Sequence, residues 1–234
     1  MKETDTRPER AVYYQERAAQ VIKNLEKRLM SGLYAATAAG AVDAVLALIP
    51  PGALVARGDS LTLAQLGVPE AIKERGQNEL LDPFETDDDG NWPPEDLRDK
   101  MMLDTFSSDV FIAGTNAVTL DGKLVNVDGS GNRVAAMIYG PKKVILVVGA
   151  NKIVENAEEG RQRIRDIAAP LNSQRHLLHH HDASMADLPC VKTGVCADCK
   201  QPYRICNYVV TIEGAMAFHE GRITVVIVGE ELGL

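Results

Sequence analysis

The run Val144-Ile145-Leu146-Val147-Val148-Gly149-Ala150-Asn151-Lys152 decides the fold. Five consecutive aliphatics leave no position for a solvent-facing side chain, so this strand is buried on both faces, as in a parallel sheet covered by helices. A glycine and polar residues follow, and Val154 to Ala169 then reads as a helix stopped by Pro170.

The same order of strand, small polar loop and helix recurs upstream. Ala53 to Ala56 reads as a buried strand running into Arg57-Gly58-Asp59-Ser60-Leu61-Thr62 and a short helix, Leu63 to Leu66. Asp109 to Ala113 is another strand, followed by Gly114-Thr115-Asn116. Leu33 to Ala39 and Ile223 to Val228 add strands, and Val42 to Ile49 is a compact apolar helix closed by Pro50 and Pro51. Pro93 and Pro94 open a helix over Glu95 to Phe106. Leu124 to Val127 and Val134 to Ile138 are read as strands around a hairpin-like turn, Asp128 to Asn132, and Tyr208 to Ile212 as one more strand. Strands alternating with helices predict an α/β fold with a mainly parallel open sheet flanked by helices.

A long helix precedes this. Thr6 and Glu9 form a T-x-x-E capping box with Pro8 in the first turn. Tyr14, Ala18, Val21, Ile22, Leu25 and Leu29 recur at helical spacing, and Gly32 is a natural stop. The expected division is an N-terminal helix, 1–32, and an α/β domain, 33–234, containing a cysteine-rich loop, 189–207.

In open α/β sheets, ligands bind beyond the carboxyl ends of the strands. The loops there supply Gly58, Ser60, Thr62, Gly114, Thr115, Asn116 and Asn151, with Asn132 and Arg133 on a fourth wall. Glycine lets backbone amides approach an anion, and Arg133 offers a bidentate fork for a carboxylate or phosphate. Lys152 is a second grip on the anion and, with Asp128, a candidate catalytic residue, Asp128 being the candidate acid or base. No complete dinucleotide or Walker fingerprint is present.

All four cysteines fall in one segment, as Cys190, Cys196, Cys199 and Cys206, with spacing C-x5-C-x2-C-x6-C. Thiolates are soft ligands for zinc or iron–sulfur chemistry. Gly194 and Pro202 supply turns, and Lys192, Lys200 and Arg204 offset thiolate charge. Only one C-x2-C knuckle exists, so neither a zinc ribbon nor the bacterial ferredoxin run is matched. A [4Fe-4S] cluster is the first reading; structural zinc and free thiols or a local disulfide stay open. His179, His180 and His181 read as a solvated loop, and Met101 and Met102 as core filler. Asp87, Asp89 and Gly90 are a fragment of a calcium loop that Pro93 and Pro94 interrupt.

The chain has 234 residues, a formal charge of −8 and 5% aromatics, which argues against a general nucleic-acid binder. No apolar run reaches a membrane span and no signal-peptide core follows Met1, so a cytoplasmic location is expected. A small anionic metabolite is the expected partner, with a redox partner subunit or a second copy of the chain beside it.

The runs Asp109 to Thr119, Gly122 to Arg133, Gly149 to Val154 and Pro189 to Asn207 together resemble the LUD, or lactate-utilisation, domain family. The resemblance implies a fold similar to sugar-phosphate isomerases, CoA transferases and formyltetrahydrofolate cyclo-ligase. It also implies a place in iron–sulfur-containing systems that oxidise L-lactate to pyruvate. Two features depart from relatives: a ferredoxin-like tail is lacking, and Arg57-Gly58-Asp59-Ser60-Leu61-Thr62 stands where some read Gly-Gly-Ser-x-Thr. Three functions are therefore carried forward: a redox enzyme or subunit acting on a small carboxylate, a non-redox enzyme for a phosphorylated or CoA-linked metabolite with structural zinc, and a non-catalytic subunit or regulator.

Overall fold

Side chains alternate across a strand, so a doubly covered sheet needs apolar residues at every position. In the computed structural model, which describes residues 4–87 and 91–234, the central strands meet that demand: Val110–Ala113, residues 144–149 and Ile223–Val228 are buried at every position. Asp89 and Gly90 of the calcium-loop fragment lie outside the described residues.

Helix α1 (Arg7–Glu26) leads into β1 (Ser31–Ala35), α2 (Ala38–Leu48) and β2 (Leu54–Arg57). Helices α3 (Leu61–Leu66) and α4 (Val68–Arg75), β3 (Glu79–Leu81), α5 (Glu95–Asp104) and β4 (Val110–Ala113) follow. Next come β5 (Ala117–Thr119), β6 (Leu124–Asp128), α6 (Asn132–Ile138), β7 (Lys143–Gly149) and β8 (Ile153–Val154). The chain ends with α7 (Ala157–Arg163), α8 (Ala169–His179), α9 (Pro189–Thr193), β9 (Tyr208–Ile212) and β10 (Ile223–Val228).

Six strands form a wholly parallel open sheet in the order β1-β10-β7-β4-β2-β3. Val144, Leu146 and Val148 face one layer with α1 and α6, whereas Ile145 and Val147 face the other with α2, α3 and α4. A small mixed sheet, β8-β5-β6-β9, stands beside it. The α/β class, the parallel sheet and the leading helix are as the sequence predicts. No helix among the described residues is long and apolar enough to cross a membrane.

Several local expectations fail. Val134 to Ile138 is helix α6, not the second arm of a hairpin, because Asp128 turns the chain through Gly131 into a helix. A five-residue apolar run does not distinguish strand from helix. The capping box is absent: Thr6 makes no side-chain cap, and Asp5 instead binds Arg7. Helix α1 stops at Glu26 and the chain reverses at Leu29, in the left-handed region, before reaching Gly32. Gly32 serves a close approach instead, since a Cβ there would stand 2.8 Å from Ile22 Cγ1.

Pro170 does not end its helix. A π-helical turn over Ile164–Ala168 links α7 to α8, and Pro170 falls in the first turn of α8, where its missing N–H is not needed. Met101 and Met102 are only half-buried, and α5 has no buried residue at all.

Candidate functional site

The carboxyl ends of β2, β4 and β7 open onto a cavity of about 500 Å³, which the β6–α6 turn, α8 and the cysteine segment close from the side. Of the residues expected there, Ser60, Gly114, Thr115, Asn116, Asp128, Asn132, Arg133 and Lys152 line it. Gly58, Thr62 and Asn151 do not. Gly58 packs on Phe111 and the stem of Arg133. Thr62 lies behind Lys152 as a hydrogen-bond acceptor, and the Asn151 carboxamide oxygen accepts from Leu232 N–H at 3.1 Å.

Close packing dictates the glycine at 114. A Cβ there would stand 2.8 Å from Ser60 Oγ. Ser60 in turn caps α3, accepting from Leu63 N–H.

Arg133 is a hub rather than an open fork. Nη1 donates to Gly114 O at 3.0 Å and Asn126 Oδ1 at 2.7 Å, and Nη2 to Val127 O at 2.6 Å and Asn116 Oδ1 at 3.1 Å. Its Nε faces Asp128 Oδ2 at 3.4 Å. Both Nη groups are therefore occupied by protein acceptors and Nε faces a carboxylate, so the guanidinium contributes charge and frames the pocket but has no free bidentate edge. Asp128 is similarly engaged. Its Oδ1 accepts from Gly131 N–H at 2.8 Å and its Oδ2 faces Val134 N–H and Arg133, which makes it the anchor of the β6–α6 turn. That engagement of both oxygens speaks against a role as acid or base.

Lys152 differs. It is 5% exposed, and among the described residues Nζ makes one hydrogen bond, to Thr62 Oγ1 at 3.1 Å. No carboxylate pairs with it among the described residues. Burial, then the charges of Arg163 and Arg133, push its ammonium down to about 7. Gly233, at φ +66°, lies over the amine; a Cβ there would reach within 2.5 Å of Nζ.

The four cysteines are free and half-buried, and all four line a second cavity of about 160 Å³. Burial pushes the Cys206 thiol up; Arg204 opposes that, and the charges of Cys199, Cys196 and Cys190 reinforce it. Asp198, between two of them, adopts φ 45°, and Arg204 Nη1 donates to Cys199 O at 2.5 Å. Among the described residues no group of three or more His, Cys, Asp or Glu side chains is arranged to hold a metal ion. The four cysteines share one cavity without forming such a group.

The two cavities touch. Val127, Ala169, Arg204, Ile205 and Asn207 line both.

Comparison with known families is decisive for kinship: the LUD domain model matches residues 18–228. The chain belongs to the LUD domain family. A crystal structure of a DUF162 family protein from Deinococcus radiodurans is similar to this LUD domain at 15% identity and a TM-score of 0.49, over 92% of this chain and 97% of that one. No curated protein matches.

The pocket of this LUD domain has residues that sequence reading missed. Arg175 of α8 grips Asp59 through bonds of 2.9 and 2.7 Å. Burial would raise the Asp59 carboxyl, but Arg175, with His180 and His176, holds it below the ordinary carboxylate range. His176 lines the pocket and stacks on His180 at 4.9 Å, so this end of the histidine run is packed, not a solvated loop. His180 meets the edge of Trp92, whose face carries Arg98 at 4.7 Å. Burial pushes both imidazoles toward the neutral form.

Four guanidinium groups (Arg98, Arg133, Arg175 and Arg204) and the Lys152 amine line the pocket against two side-chain carboxylates, Asp59 and Asp128. A chain of net charge −8 thus carries a locally positive cavity, which favours an anionic ligand. Asp59 and Arg175 are 116 residues apart, and no local motif links them.

Proposed function

We propose that this LUD domain is a redox-linked protein, an enzyme or a subunit of one, that binds a small organic carboxylate beside a cysteine-held [4Fe-4S] centre. The observation that carries the reading is the wall the two cavities share. Four soft, half-buried thiols suit iron or zinc. A tetrahedral zinc at a Zn–S distance of ~2.3 Å needs four sulfurs converging on one point. A four-iron cluster instead places each thiolate on its own iron, which suits four cysteines that line one cavity.

A bound cluster would supply one-electron transfer. The chain does the rest. Lys152, Arg98 and Arg204 attract the anion, while Arg133 holds Asn116 and Asn126 in place behind it. Val127, Ala169 and Ile205 give the partition between the cavities its apolar part, beside Arg204 and Asn207. L-Lactate is the first substrate to test, on the kinship with lactate-utilisation proteins.

The test is reconstitution of the full chain with iron and sulfide without oxygen, followed by iron analysis and lactate titration. The reading expects cluster-type visible absorption and saturable lactate binding. Stoichiometric zinc with no iron uptake would overturn its redox half.

A further inference from the structure

Four features meet at Lys152 and take it beyond anion binding. It is nearly completely buried yet lines a cavity of about 500 Å³, so its amine is open to a ligand but shielded from bulk water. Among the described residues its one hydrogen bond is to a hydroxyl, Thr62 Oγ1, and no carboxylate pairs with it. Two guanidinium groups, Arg163 and Arg133, disfavour its charged form. Gly233, at φ +66°, lies over Nζ, where a Cβ would stand 2.5 Å from it, so this backbone walls one side of the amine.

A lysine whose task was only to attract an anion would be better exposed, where it stays charged. Desolvation beside fixed cations is instead how proteins keep an amine neutral and nucleophilic. The surrounding positive charge adds the other half of a recognition pattern: a place for a carboxylate next to an amine suited to a carbonyl.

We propose that Lys152 forms an imine with the carbonyl carbon of a 2-oxo acid bound at the glycine loops. This rests on the pocket half of the function proposed above, that a small carboxylate binds there, and not on the cluster. In the step, Nζ attacks the carbonyl carbon and the C=O double bond is replaced by C=N. The carbonyl oxygen leaves as water with the two hydrogens of the amine. No oxidant or reductant takes part. Thr62 Oγ1, at 3.1 Å from Nζ, orients the lone pair. An imine neighbour of a carboxylate is the chemistry that activates the adjacent carbon of a 2-oxo acid, so the site extends to carbon–carbon or hydrogen-exchange reactions of such acids.

The experiment is reductive trapping. The full chain is incubated with pyruvate and sodium cyanoborohydride, digested and mapped by mass spectrometry. Acetone, which has a carbonyl but no carboxylate, and L-lactate, which has a carboxylate but no carbonyl, serve as parallel probes. The expected result is an adduct on Lys152 with the mass of the acid less one oxygen. Its yield should exceed that on any exposed lysine by roughly tenfold. Acetone should label Lys152 weakly, and excess L-lactate should suppress pyruvate labelling. Lys152→Met, checked for folding by circular dichroism, should lose the adduct. Labelling spread evenly over exposed lysines, or no labelling of Lys152, would overturn the proposal. Calorimetry with L-lactate separates the two readings: a chain that binds lactate but is not trapped by pyruvate refutes the imine alone, and a chain that does neither refutes both.

Discussion

Arg175 reaches across from α8 to hold Asp59, at the end of β2, through two nearly parallel hydrogen bonds of 2.9 and 2.7 Å. This pair ties the helix carrying the histidines to the loop that begins the pocket. Both side chains are largely shielded from solvent, at 16% and 22% exposure. Arg175→Ala should therefore cost about 2 kcal/mol, less than a fully buried pair because some solvent screening remains. Urea denaturation of wild type and variant reads this difference. The Asp59 carboxyl is held below its ordinary range, so its contribution is complete above that range and disappears as the pH falls through its folded value. The stability gap between wild type and Asp59→Asn should close in acid and stay constant from about pH 5 upward.

Lys152 predicts the opposite trend. Its folded value, about 7, lies well below the ordinary 10.5, so the unfolded chain binds the extra proton between those limits. The burial cost is full below about 7 and fades as the pH rises toward 10.5. It is on the order of several kcal/mol, since each tenfold loss of proton affinity corresponds to ~1.4 kcal/mol. Lys152→Met should raise the melting temperature more at about pH 6 than at about pH 10, while abolishing lactate binding. A variant less stable than wild type in the acid member of that pair would contradict this.

Trp92 is the single tryptophan of the chain and lines the pocket between Arg98 and His180. Its emission should change saturably with L-lactate or pyruvate as the anion draws Arg98 from the indole face. Lys152→Met should flatten the titration. An unchanged spectrum, where calorimetry shows binding, would place the ligand away from α5.

Gly122 tests the seating of the first helix. It adopts φ +84°, and a Cβ would stand 2.6 Å from the backbone of Asn24 in α1. Gly122→Ala should cost at least ~1–2 kcal/mol from the left-handed backbone alone, and more from the displaced helix. Thermal unfolding reads the loss, and Gly76→Ala, with open space around its Cβ, is the control for the backbone share.

The central strands were legible because burial on two faces forces continuous aliphatic runs: Ile223–Val228, buried throughout, matches the sequence reading residue for residue, and so does the more exposed Tyr208–Ile212, whose turn-bounded apolar run marks it as a strand. The helix α6 was not legible, because Val134 to Ile138 is too short for its period to show, and what decides it is the Asp128 contact with Gly131 N–H. Pro170 misled for a related reason: the π-turn that absorbs it has no sequence signature. In the site, glycine loops pointed to the pocket; the cysteines, read as ligands of one inorganic centre, line one cavity, but no group of three or more His, Cys, Asp or Glu among the described residues is arranged to hold a metal ion. The Asp59–Arg175 pair stayed hidden, since only the fold brings residues 116 positions apart into contact. Arg133 was visible as a site residue but not as a hub, because its acceptors are mostly backbone carbonyls and carboxamides that composition does not reveal.

Iron and acid-labile sulfide counted per chain after anaerobic reconstitution, in wild type and in Cys199→Ser, test the central claim most directly. A [4Fe-4S] centre predicts about four of each in the wild type and a large loss in the variant. Equal iron in both chains, or disulfides linking the four cysteines of the folded protein, would contradict it.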